Sequence, residues 1–449
     1  MNSNSKAKVD FPPWPQYEED EIAAATRVLQ SGQVNYWNGE EGRKFEKEFA
    51  EYHGVPYAVA VTNGTVALEL ALYALGIGPG DDVVVTPRSF IASASCIVNS
   101  GARPVFADVD RDSGNITAET VRSALTSRTR AIIVVHLGGW PCDMDPLIEL
   151  AREKGLYVIE DCAQAHGARY KGRPVGSLGH ISAFSFCTDK IMTTGGEGGM
   201  VLTSDSGLWS RMWSYKDHGK SWDAVYNREH PPGFRWLHES FGTNWRLTEM
   251  QSVIGRVQLA KLDRWVKKRH ENAGMLIEGL SGIPGLRVPV PEEHVGHAWY
   301  KFYAYVEPER LKAGWNRNRI MQAVAEQGIP CMQGICPEIY LERAFCGGDR
   351  RSGVGSRTSD VGRRMSDDGG RTSEGGKQRS EVRSQWVSES MSHKSEDRGQ
   401  TSEVSLRPEE RLPVAKELGE TSLMFLVHPT LGEREMKETV RVVREIMLE

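Results

Sequence analysis

The chain has 449 residues, enough for two or three domains around a large buried core. Hydrophobic residues make up 39% of it and charged residues 26%, and 55 Lys+Arg against 60 Asp+Glu leave a net charge of −5. These values exclude collagen-like, wholly disordered and small disulfide-stapled classes and supply no basic field to gather nucleic acid. The seven cysteines contain no CxxC pair, so they read as buried thiols and not as a disulfide framework or a zinc site, and no metal is expected. Apolar stretches such as residues 131–135 are too short to cross a bilayer, and residues 1–10 lack the apolar centre of a signal peptide. A cytoplasmic protein without a membrane or nucleic-acid partner is expected.

From residue 56, β-branched runs alternate with helical stretches: 57–62 with 66–75, 82–86 with 92–100, 104–109 with 118–125, and 131–136 with 146–154, followed by 156–160. Apolar runs that do not alternate with polar residues predict strands buried on both faces, hence an α/β fold with a mostly parallel, helix-covered sheet. The chemistry of such sheets lies at the carboxyl ends of the strands. Residues 198–203 read as a further strand, and 248–280 as a long helix with apolar positions at Met250, Ile254, Val257, Leu262 and Trp265. Beyond residue 286, strand-like 299–306, helical 317–326, helical 413–418 and amphipathic 433–448 predict a smaller α+β domain. The expected organisation is an N-terminal segment (1–30), a large domain (31–250), a connecting helix (251–282) and a small C-terminal domain (283–346 and 407–449).

Residues 347–406 fit no element. Their 60 positions hold 13 Ser, 10 Gly and 9 Arg and only nine apolar residues, too few to offset the entropy of ordering, so a disordered insertion is expected. Its 11 basic and 10 acidic residues nearly cancel, which favours a solvated loop over a polyanion-binding arm.

Three constellations carry chemistry. Lys190 lies between the small and hydroxyl residues of 183–189 and the glycine-rich turn Gly195-Gly-Glu-Gly-Gly199, where it is a candidate Schiff-base nucleophile; alone it reads rather as a surface lysine beside a flexible loop. Asp161, within Ile159-Glu-Asp-Cys-Ala-Gln-Ala-His-Gly167, falls at the end of a strand with Glu160 on the opposite face. A metal would want more ligands nearby, whereas a protonated ring nitrogen needs one carboxylate. Val61-Thr-Asn-Gly-Thr-Val-Ala67 turns from strand to helix and can present backbone N–H groups, with the Thr65 hydroxyl, to a phosphate. It is not a Walker motif, and the GxGxxG fingerprint of a dinucleotide-binding dehydrogenase is missing. Together the three point to an aldehyde cofactor that carries a phosphate.

These segments, with Pro87-Arg-Ser-Phe90-Ile-Ala-Ser93 and Asn244-Trp-Arg-Leu-Thr-Glu-Met-Gln251, resemble the DegT/DnrJ/StrS family of sugar aminotransferases, fold type I transferases that use pyridoxal 5′-phosphate. The resemblance covers residues 11–345 and again 407–449. It implies that Lys190 binds the cofactor aldehyde and moves protons, and that Asp161 keeps the ring nitrogen protonated. It further implies that Phe90 and Ala163 cover the two ring faces and Gln164 meets the phenolic oxygen. Gly64, Thr65 and Ser185 would cup the phosphate, joined by Asn244 of the neighbouring subunit in a homodimer with shared active sites. Relatives that dehydrate have histidine in place of the lysine, so Lys190 favours transfer of an amino group, with L-glutamate as donor and a nucleotide-linked keto-deoxysugar as acceptor. A lyase or dehydratase and a non-catalytic cofactor-binding regulator are the alternatives.

Five more residues are substrate candidates. Tyr36 and Trp37 fit a sugar or nucleotide site and equally well simple packing. His166 within its Gly/Ala-rich turn reads as a substrate contact or as structure. His218 and Arg246 could hold a carboxylate or pyrophosphate, for which a guanidinium is well shaped. Residues 331–340 lack the histidine expected of many relatives, which leaves the acceptor side open.

Overall fold

Apolar runs without polar alternation build the centre of the molecule, whose computed structural model describes residues 9–346 and 406–448. Five strands come first: β1 (Tyr57–Val61), β2 (Asp82–Val85), β3 (Arg103–Phe106), β4 (Thr129–Val135) and β5 (Tyr157–Asp161). The short pair β6 (Arg169–Tyr170) and β7 (Arg173–Pro174) precedes β8 (Ile181–Ser185) and β9 (Gly199–Thr203). The main sheet has seven strands in the order β1-β9-β8-β5-β4-β2-β3. Its pairs from β8 to β3 are parallel, and β9 alone runs antiparallel to both of its neighbours. All residues of β2, β8 and β9 are buried, as a sheet covered by helices on both faces requires.

A second sheet contains β10 (Leu286–Arg287), β12 (Phe302–Val306), β13 (Cys331–Met332) and β14 (Ser422–Phe425), in the antiparallel order β10-β12-β14-β13. Between them β11 (Val295–Gly296) pairs with β6. Helices Arg317–Glu326 and Glu433–Leu448 have the bounds their periodicity predicts. The expected strand 299–306 begins only at Phe302, because Trp299 has φ 51 and cannot continue an extended ladder.

Helix Glu249–Leu280 joins the two parts. Thr248 and Gln251 form a capping box at its start, and its 32 residues span about 48 Å. Leu259 and Leu262 pack into the core under the main sheet, and Ala273, Leu276 and Leu280 into the core of the second. Helices Glu19–Ser31 and Glu41–His53, which precede the first strand and were not expected, pack on this same helix. Lys261 ties the first of them down by ion pairs to Glu18, Asp20 and Glu21 at 2.6–2.9 Å.

Adjacent carboxylates on β5 face opposite ways. Glu160 is fully buried and accepts from the backbone N–H groups of Gly176, Leu178 and Gly179 at 2.6–2.8 Å and lies 3.1 Å from His136 Nε2. Burial pushes its pKa up, but His136 and these N–H groups outweigh burial and hold the carboxyl below its ordinary value. His136, Glu160 and Cys162 could converge on a metal, but the Glu160 oxygens are already occupied by four donors, which makes the group a structural knot.

The expected insertion at 347–406 lies, apart from Leu406, outside the described residues. Its flanks meet: Arg407 donates to the Leu341 carbonyl at 3.2 Å and contacts the Cys346 thiol, and Leu406 packs on the main core. A linker of a few residues in place of 347–405 is therefore expected to leave a soluble protein with an unchanged thermal unfolding midpoint, measured by calorimetry.

Candidate active site

The carboxyl ends of β1, β5 and β8 and the turn after β2 open on one cavity of about 510 Å³. A larger groove of about 610 Å³ lies at the other end of the strands, by Tyr157, His180 and Arg211, and contains none of the residues singled out from the sequence. Gly64, Thr65, Phe90, Asp161, Ala163, Gln164, Ser185 and Lys190 all line the 510 Å³ cavity.

Helix Gly64–Leu75 starts at its floor. The Asn63 side chain caps it by accepting from Val66 N at 3.0 Å, which leaves the first free N–H groups of a 12-residue helix beside Thr65 and Ser185. Gly64 is needed there because a Cβ on it would lie 2.5 Å from Ser185 Cβ. The result is a cradle for an anion.

Asp161 is 4% exposed; its Oδ2 accepts from Ser93 Oγ at 2.7 Å and its Oδ1 from Ala163 N at 3.1 Å. Burial raises its pKa despite these bonds and despite Lys190 nearby, so the site would gain from a cation placed against it. Gln164 is held from the other side: its Oε1 accepts from Gly138 N at 2.8 Å, so what it offers the cavity is its NH2 donor. Lys190 Nζ lies 3.7 Å from Asp189 Oδ1 and 5.1 Å from the centre of the Tyr300 ring. Tyr300 in turn hydrogen-bonds Asp189, and burial keeps its phenol protonated.

The remaining candidates fall outside the cavity of their own chain. Tyr36 is 1% exposed, donates to Glu46 at 2.9 Å, accepts from Trp213 Nε1 at 3.2 Å and lies under Lys216, so it is a core residue and not a cavity wall. His166 is buried between Phe184 and Phe186, and burial pulls its pKa to about 3, so it is a neutral core residue. Trp37 carries Lys220 over its ring at 3.8 Å. Arg246 is tied to buried Asp217 at 2.5 Å, and His218 and Asn244 are exposed. Sequence reasoning did not single out Ser93, Asp189 or Tyr300. Ser93 and Asp189 stand within or beside quoted motifs, whereas no local signal marks Tyr300.

This fold, with a lysine, a buried aspartate and an anion cradle at the strand ends, is that of a pyridoxal-phosphate-type aminotransferase. Residues 15–345 match the DegT/DnrJ/EryC1/StrS aminotransferase family, and the chain belongs to it. A solved aminotransferase from Psychrobacter cryohalolentis superposes with a TM-score of 0.83 at 50% identity, covering 98% of this chain and 99% of that one. The dTDP-3-amino-3,4,6-trideoxy-alpha-D-glucose transaminase of Streptomyces venezuelae is 38% identical over 74% of this chain and 82% of its own length. The spore coat polysaccharide biosynthesis protein SpsC of Bacillus subtilis (strain 168) is 39% identical over 70% of this chain and 79% of its length.

Members of the family depend on pyridoxal 5′-phosphate, and the residues of this cavity fit it. The cradle at Gly64 suits its phosphate, and the buried Asp161 suits its ring nitrogen. No described helix is long and apolar enough to cross a membrane.

Gly64→Ala is expected to push Ser185 aside and lower unfolding stability by about 1–3 kcal/mol. Chemical denaturation measures the loss.

Proposed function

We propose that this protein is a pyridoxal-phosphate-dependent aminotransferase that takes the amino group of L-glutamate and delivers it to a nucleotide-linked keto-deoxysugar. The observation that carries the reading is the convergence of Lys190, Asp161 and the Gly64 cradle on one cavity. The acceptor class is supported by the relative named a dTDP-sugar transaminase.

In this reading Gly64, Thr65 and Ser185 hold the phosphate and Asn244 of a second subunit completes the cup. Phe90 and Ala163 would cover the cofactor's ring faces, and the Gln164 NH2 would be free to donate to its phenolic oxygen. Asp161, fixed by Ser93, would hold a proton on its ring nitrogen. When bound, the cofactor supplies an electron sink for charge that develops at the substrate carbon. Lys190 would hold the cofactor at its aldehyde carbon through Nζ, and the same amine would be the group placed to move a proton at the substrate carbon. Because the site has lysine at this position, amino transfer is favoured over dehydration.

Absorption spectra of wild type and Lys190→Ala, each with pyridoxal phosphate and then L-glutamate, test the reading. Wild type should show the long-wavelength band of lysine-bound cofactor, lose it with glutamate and release one equivalent of 2-oxoglutarate; the variant should show no such band and no turnover. A folded wild type without the band, or an active Lys190→Ala, overturns the assignment. Ser93→Ala should weaken cofactor binding about ten- to a hundredfold in a spectrophotometric titration, as expected when a bond to a buried carboxylate is lost.

The shared site has its own test. Mixing and refolding Asn244→Ala with Lys190→Ala subunits should restore about a quarter of wild-type activity, because each hybrid dimer regains one complete site. Activity that stays at the mean of the two parents would refute sharing.

A further inference from the structure

The backbone of Lys190 is fixed in both directions. Its N–H closes a turn on the Cys187 carbonyl at 3.1 Å. Its carbonyl accepts a 2.8 Å hydrogen bond from the indole Nε1 of Trp14, 176 residues earlier in the chain.

The indole is itself held on several sides. Trp265 of the long helix meets it edge-on at 5.1 Å, and the Arg269 guanidinium lies 5.2 Å over its ring. His428, in the loop after β14, stacks at 6.2 Å, and Thr430 of that loop donates to the Pro13 carbonyl at 3.2 Å. Arg269 also donates to the carbonyls of Trp299 and Tyr300, and Tyr300 lines the cavity. Trp14 is thus the point where the lysine turn, the long helix and the end of the second sheet meet.

We propose that Trp14 is a positioning residue for Lys190, its indole N–H setting where the lysine backbone sits relative to the cavity. The inference rests on the role of Lys190 proposed above. Nζ stands at the end of a flexible four-carbon chain. A fixed Cα therefore narrows the volume the amine can sweep and favours the one position from which it can both bind the aldehyde and move a proton. Hydrophobic packing of the ring alone would stabilise the fold without this effect, and the N–H separates the two roles.

Trp14→Phe keeps an aromatic ring against Trp265 and Arg269 but has no donor. Trp265→Phe disturbs the same packing and leaves the bond to Lys190 in place. Each holoenzyme is titrated by absorbance between pH 5 and pH 10, melted, and mixed with L-glutamate in a stopped flow. Trp14→Phe should move the apparent pKa of the lysine-bound cofactor by about half a unit or more and slow the glutamate half-reaction roughly tenfold. Trp265→Phe should titrate as wild type even where it melts at the lower temperature. A Trp14→Phe enzyme with the wild-type titration and rate overturns the proposal, and so does a Trp265→Phe enzyme that shifts equally. If Trp14→Phe does not fold, benzothienylalanine at position 14 replaces the N–H by sulfur in nearly the same shape and is read by the same criteria. A wild type with no lysine-bound cofactor band to titrate would instead remove the reading of Lys190, a result distinct from unchanged titration in the variant.

Discussion

Everything at the cavity depends on how closely three chain segments approach at the top of β1, β9 and β8. Gly199 pairs with Val61 on one side and with Ser185 on the other, so the ends of the three strands are level. A Cβ at position 199 would lie 2.4 Å from the Asn63 carbonyl oxygen, and one at 64 would lie 2.5 Å from Ser185 Cβ. With both side chains absent, the chain can turn at once from β1 into helix Gly64–Leu75 while still touching β8. Larger residues would move the helix start away from Ser185, and the anion cradle would open. The antiparallel β9 contributes no side chain to this cradle except the absence of one.

The second constraint is the contrast between neighbouring carboxylates on β5. Both are buried, and burial raises the pKa of each. Glu160 has three backbone N–H groups and His136 around it, enough to keep it ionised inside the fold. Asp161 has Ser93 and Ala163 N, which are too few, and it faces the cavity. An acid whose solvation is left incomplete by its own protein is suited to a ligand that brings the missing positive charge. The one-residue alternation of a strand separates a structural role from a binding role without any change of residue type.

The fold was largely legible because it rests on local pattern. Buried runs such as Asp82–Val85 and the 3.6-residue period of Glu433–Leu448 are properties of contiguous sequence. The floor of the site was legible for the same reason, since Gly64 and Lys190 sit in recognisable turns and Asp161 ends a buried strand. Tyr36 and His166 were not, because burial is decided elsewhere in the chain. Tyr36 is enclosed by Glu46 of the helix that follows it and by Trp213 and Lys216 of a distant one. Tyr300 was hidden for the opposite reason, since only the second part of the molecule folding against the first brings it to the cavity.

That folding-together gives the long helix a role beyond connection. Its first half is buried in the core that backs β8, and its second half in the core of the second sheet. A single 32-residue helix embedded at both ends resists bending, because any bend would strip buried side chains from one core or the other. Lys190 is carried on the turn after β8, and Tyr300, carried just before β12, is buried in the same core that backs β8. The centre of the Tyr300 ring lies 5.1 Å from Nζ, and its phenol hydrogen-bonds Asp189, so the polar surroundings of the amine are assembled from both parts at once. A shift of the second sheet along the helix would break the hydrogen bond between Tyr300 and Asp189 before it changed the floor of the cavity, where Gly64, Asp161 and Ser185 come from the main-sheet part.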